Sequence, residues 1–145
     1  MEELIEKMKV ALASTYAFGL KAQNFHWNVE GPNFVQYHEF FENLYDDATT
    51  AVDKLAEEIR TLNAYAPASL SRFQQLTVVQ DEITIPTAMS MISKLNEDND
   101  KVIGVLTEAY QEAEKAKVVG LANFLQDRID IHSKHGWMLR ATMKV

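Results

Sequence analysis

The chain has no cysteine, only three prolines and five glycines in 145 residues, and far fewer basic side chains (14) than acidic ones (21). Without cysteine, disulfides, thiolate-held zinc and thiol nucleophiles are excluded, and a reducing compartment fits. Scarce Gly and Pro, with 47% hydrophobic residues, argue against a disordered or linker-rich chain. The net charge of −7 and pI near 5.0 do not draw a protein to phosphate backbones by charge alone, whereas they do attract cations. No apolar run reaches the length of a membrane span. The mildly apolar stretch from Val10 to Leu20 follows Glu2, Glu3 and Glu6, where a secretory leader carries positive charge. Ser14, Thr15 and Tyr16 interrupt it, so it reads as the middle of a helix, and the expected location is the cytoplasm.

What is present is helical periodicity. Residues 1–145 are read as a single domain, long enough to bury roughly 68–70% of its unfolded surface. Leu4, Met8, Ala11, Thr15, Phe18, Ala22 and Phe25 recur at spacings of four and three, which is one helix face. Gly31-Pro32 ends that helix, and Asn33 with Gln36 suggests an N-cap and capping box for the next. The second helix is predicted from about Phe34 to Asn63, with Tyr37, Phe41, Leu44, Ala48, Leu55, Ile59 and Leu62 on its apolar stripe. From Ala64 to Ile85 the pattern breaks into a long crossover, in which Ser69–Gln75 suits a short helix. Pro86 fits the first turn of a third long helix bearing Met89, Ile92, Leu95, Val102, Leu106 and Tyr110. A fourth carries Val118, Ala122, Leu125, Ile129, Gly136 and Leu139. No strand pattern competes, so the fold class is all-α: a four-helix bundle with a short helix in the crossover between its second and third long helices.

Two of the four histidines, His26 and His38, flank the Gly-Pro break. With His38 set at 0° and 100° per residue, Glu42 falls at about 40°, Asp53 at about 60° and Glu57 at about 100°. The apolar stripe is centred near −90°, so all four share one strip beside it. A short turn makes the first two helices antiparallel neighbours, which brings His26 close to His38. Yet His38 and Asp53 are about 22 Å apart along the helix, whereas metal–ligand bonds are about 2.0–2.6 Å. Two arrangements remain. The residues form two unrelated half-sites, or two copies of the second helix lie antiparallel across a two-fold axis, which makes two shared sites. Imidazole with carboxylate suits iron, manganese or zinc. Bundles that hold two irons internally use Glu-x-x-His pairs, and this chain has none, which favours the shared version.

The arrangement His26-Trp27-Asn28, His38, Glu42, Asp53-x3-Glu57-x2-Arg60 closely resembles that of the Dps proteins, or mini-ferritins. The likeness extends over nearly the whole chain, including Ala66-Pro67-Ala68 and the ending Trp137-Met138-Leu139-Arg140-Ala141. The resemblance implies a ferritin-like bundle, a homo-oligomeric shell of twelve subunits and two ferroxidase centres at each dimer interface. Ferrous iron, two ions per centre, is oxidised there, by hydrogen peroxide in preference to dioxygen, and ferric mineral collects in the cavity. That chemistry protects against oxidative damage. By position, His26, His38 and Glu42 are ligands from one subunit, and Asp53 and Glu57 come from its partner. Glu42 stands where the family commonly has Asp, and Trp27 matches an aromatic beside the centre, a candidate redox relay. Lys-rich DNA-binding tails have no counterpart here, so direct DNA binding is not expected. Val118, Val119 and Asn123 stand where acids often line the family's pore; Glu112, Glu114 and Asp127 are the remaining acids that draw iron.

Other acids and histidines take plainer readings. Asp46 reads as a surface acid with a candidate outer-shell role. His132 and His135 read as structural, and Asp98 and Asp100 as a solvated helix face. The competing functions are a DNA-condensing structural protein and a metal-free helical interaction module.

Overall fold

The computed structural model describes all 145 residues, and the four-and-three spacing of the N-terminal segment becomes helix α1, Glu2–Asn28. All seven stripe residues from Leu4 to Phe25 are buried. Buried Val29 turns extended, Gly31 takes φ +106°, which a side chain would strain, and the Phe34 amide bonds the Gly31 carbonyl. Helix α2 follows over Phe34–Thr61. The expected N-cap at Asn33 is not formed. Asn33 is left-handed (φ 68°) with no side-chain cap bond, a conformation Asn tolerates better than most residues. The chain therefore reverses through Asn33's backbone rather than through a capping box.

α2 ends in a Schellman turn, in which Asn63 (φ 63°) donates to Arg60 and Ala64 to Ile59. The crossover contains α3, Leu70–Leu76, capped by the Ser69 hydroxyl. It runs alongside α1 in the same direction. Ser14 accepts from the Val78 amide, Lys21 donates to the Gln80 carbonyl and Asn24 to the Glu82 carbonyl. Helix α4, Ala88–Lys115, is capped by Thr87, so Pro86 lies before the cap and not in the first turn. A second Schellman turn with left-handed Lys117 leads to α5, Val119–Thr142. Contacts Lys21–Asp98 and Lys7–Glu108 set α4 antiparallel to α1, which is possible because the crossover returns the chain to the far end.

Two expectations about α4 are corrected. Met89 is 45% exposed, and Met91 fills the core in its place. Asp98 is not on a solvated face. It is buried and pairs with buried Lys21 at 2.8 Å, a partner far away in sequence. Phe18, Phe25 and Phe41 are fully enclosed in the apolar part of the core, each contributing about 1.5–3 kcal/mol by burial. Gly19 lets α1 and α2 approach closely. A Cβ there would sit 3.0 Å from that of Ala48.

A polar network crosses the core between α2, α4 and α5. Arg128 donates to both oxygens of Asp47 (2.9 and 2.8 Å) and to His132 Nε2 (3.0 Å), and His135 donates to Asp47 (2.9 Å). His132 Nδ1 donates to Asn99 Oδ1 (2.8 Å), whose amide donates back to the His132 carbonyl (2.8 Å). Burial, then the charges of Arg128 and His135, push the His132 pKa down to about 3. Burial raises that of Asp47, but the hydrogen bonds from Arg128 and His135 outweigh it and hold the carboxyl well below its usual range.

Both shifts act in one direction. Below about pH 6.5 the unfolded chain binds a proton that folded His132 refuses, so stability present at neutral pH is lost as pH falls toward 3. Asp47 adds a further loss below about pH 4. We expect the melting temperature of wild type to fall between pH 7 and pH 4.5. For His132→Asn, less stable at pH 7, the fall should be shallower. Parallel curves in calorimetry would contradict this.

Candidate metal centre

His26 is in the last turn of α1 and His38 in the second turn of α2. Each is fixed by the other's backbone. His26 Nδ1 donates to the His38 carbonyl and His38 Nδ1 to the His26 carbonyl, both at 2.7 Å. A carbonyl only accepts, so both Nδ1 atoms carry hydrogen and both Nε2 atoms present a lone pair. The rings stack at 3.8 Å with 17° between planes. Phe34 lies against the outer face of His38 (5.0 Å) and Tyr45 against His26 (5.2 Å), so aromatic contacts hold the pair from both sides. Burial and the proximity of Asp46 and Glu42 raise the Tyr45 phenol.

Glu42 lies one helical turn after His38, with Oε1 3.9 Å from His26 Nε2. Donor atoms of His26, His38 and Glu42 all fall within 4.8 Å of one another. Two imidazole nitrogens with fixed tautomer and one carboxylate suit a first-row divalent metal, and three donors leave coordination positions open.

Asp53 and Glu57 are not part of this trio. They lie one turn apart on the exposed strip of α2, with no ion pair or side-chain hydrogen bond inside the chain. Trp27, next to His26, is 64% exposed, and Leu20, Phe34 and Val35 are also bare on the α1–α2 side. Arg60 turns to the Ala64 carbonyl and the Tyr65 ring rather than to Glu57. The chain thus places three of the five expected ligands together and leaves two exposed and free. Sequence reasoning did not foresee the reciprocal imidazole–carbonyl bonds. Their only signal was the two histidines flanking a tight turn.

Comparisons with known proteins agree with this architecture. The ferritin-like domain family matches residues 5–145. A DNA protection during starvation protein from Brevibacillus brevis is 34% identical over 126 residues, covering 86% of this chain and 84% of that protein. The crystal structure of a Dps protein from Bacillus brevis is 30% identical, covers 97% of this chain and 95% of its own, and superposes with a TM-score of 0.93. That of a Vibrio cholerae O1 Dps protein, described as one of a superfamily of ferritin-like diiron-carboxylate proteins, is 25% identical, covers 99% and 90%, and gives 0.94.

His26→Gln and His38→Gln are each expected to weaken cobalt(II) binding by more than about tenfold in isothermal titration, since each removes one preset donor. Glu39→Gln, on the same helix but outside the trio, should leave it unchanged. Equal affinities for all three variants would dissociate the histidine pair from metal binding.

Proposed function

The chain belongs to the ferritin-like Dps family, and on that premise we propose that it is an iron-oxidising and iron-storing protein whose centres lie between two subunits. Ferrous iron is the substrate and hydrogen peroxide the oxidant. Support for a shared centre comes from α2 itself. The pairs 38/57 and 42/53 have one common midpoint, between Asp47 and Ala48. A single two-fold axis crossing α2 there therefore sets Glu57 opposite His38 and Asp53 opposite Glu42 at the same time. The bare apolar side chains around the strip would be covered by the same contact.

In this reading His26, His38 and Glu42 bind iron from one side, and the partner subunit's Asp53 and Glu57 complete the set. Two ferrous ions each give one electron. Peroxide takes both, with two protons, and leaves as two waters. The three carboxylates offset the added positive charge of the ferric products. Trp27, beside the centre, is the candidate donor for stray oxidising equivalents. Ferric product then moves into the cavity of a twelve-subunit shell and is stored as mineral. Protection is chemical, by removal of iron and peroxide together. The net charge of −7 gives no electrostatic hold on DNA.

The observation that carries this reading is the reciprocal locking of His26 and His38, which leaves two imidazole lone pairs beside Glu42. It is tested by complementation. One variant carries His26→Ala/His38→Ala and the other Asp53→Ala/Glu57→Ala, and each alone should lack rapid peroxide-dependent oxidation in stopped flow. After joint refolding in equal amounts, half the dimers are mixed and each has one intact centre. About a quarter of wild-type activity should return. A mixture as inactive as its components would place all the ligands within one subunit.

A further inference from the structure

The chain contains a second set of the same donors: His132, His135 and Asp47, two imidazoles and one carboxylate, inside the bundle. In a protein that handles ferrous iron this set is a competing sink. We propose that Arg128 is a specificity-determining residue that acts as a built-in cation, keeping metal out of the bundle core and confining it to the α1–α2 seam.

The geometry supports this in three ways. The Arg128 guanidinium is buried and donates to both Asp47 oxygens and to the Nε2 lone pair of His132. Arg128 Nη2 therefore lies 2.8 Å from Asp47 Oδ2 and 3.0 Å from His132 Nε2, between the two atoms an ion would bridge. His135 turns its Nε2 to Asp47 at 2.9 Å, so that nitrogen carries hydrogen and has no lone pair to offer. Finally, only at the seam do three such donor atoms come within 4.8 Å of one another. In the core the guanidinium holds its ligands apart. At the seam the corresponding nitrogens lie beside Glu42, and no lysine or arginine pairs with the trio.

The inference rests on the seam being the metal site, but its test reads the core alone. In the His26→Ala/His38→Ala background, Arg128→Met removes the charge and keeps most of the volume. Cobalt(II) is followed by equilibrium dialysis and visible absorption. The background should bind no cobalt at the core. Addition of Arg128→Met should add about one ion per subunit, and further addition of His132→Gln should abolish that gain. No added cobalt after Arg128→Met, or a gain that survives His132→Gln, would overturn the proposal. If Arg128→Met reduces helix content, melting with and without cobalt decides: a rise in melting temperature that requires His132 supports it, and no rise overturns it. Failure of the seam reading would appear separately, as equal cobalt uptake by wild type and the His26→Ala/His38→Ala background.

Discussion

The exchange of hydrogen bonds between His26 and His38 is the constraint on which the seam depends. An imidazole has two tautomers and a loosely held ring. Here each ring is fixed by the other residue's carbonyl at 2.7 Å, so tautomer and orientation are set by backbone. That in turn requires the turn between α1 and α2 to bring the last carbonyls of one helix to the first side chains of the next. Buried Val29, Gly31 at φ +106° and left-handed Asn33 do this. The lone pairs that would hold iron are therefore a product of turn chemistry.

The four histidines illustrate how little residue type decides. His26 and His38 keep their Nε2 atoms free because their Nδ1 hydrogens go to carbonyls. His132 uses both ring nitrogens, one on Asn99 and one on Arg128, and His135 gives Nε2 to Asp47. The first pair lies beside a carboxylate that is 46% exposed and the second beside one bound to a guanidinium. Removing Asp47 would leave the buried Arg128 guanidinium uncompensated, at a cost of about 3–5 kcal/mol. The inner cluster thus ties α2 to α5 below the strip where α2 would meet its counterpart.

Much of this was legible in the sequence, and what was not has a common cause. The α1 stripe was readable throughout because every contact it makes is dictated by one helical period. The strip from His38 to Glu57 was readable for the same reason, since 100° per residue is a property of the helix alone. Asp98 was misread because its partner, Lys21, lies on another helix and nothing local in Asn96–Asp100 reveals it. The pairing of Asp47 with Arg128 is equally non-local. Met89 and Met91 both satisfy helical spacing, one from Ile92 and the other from Leu95, and only packing chooses between them. Asn33 favours both an N-cap and a left-handed turn, and the tight reversal selected the latter.

The most direct measurement is a crystal of the assembled protein soaked in ferrous salt without oxygen, with anomalous scattering recorded at the iron edge. The expected result is iron bound to the Nε2 atoms of His26 and His38, to Glu42, and to the partner subunit's Asp53 and Glu57. Iron elsewhere, or Asp53 and Glu57 turned away from the neighbouring histidines, would contradict it.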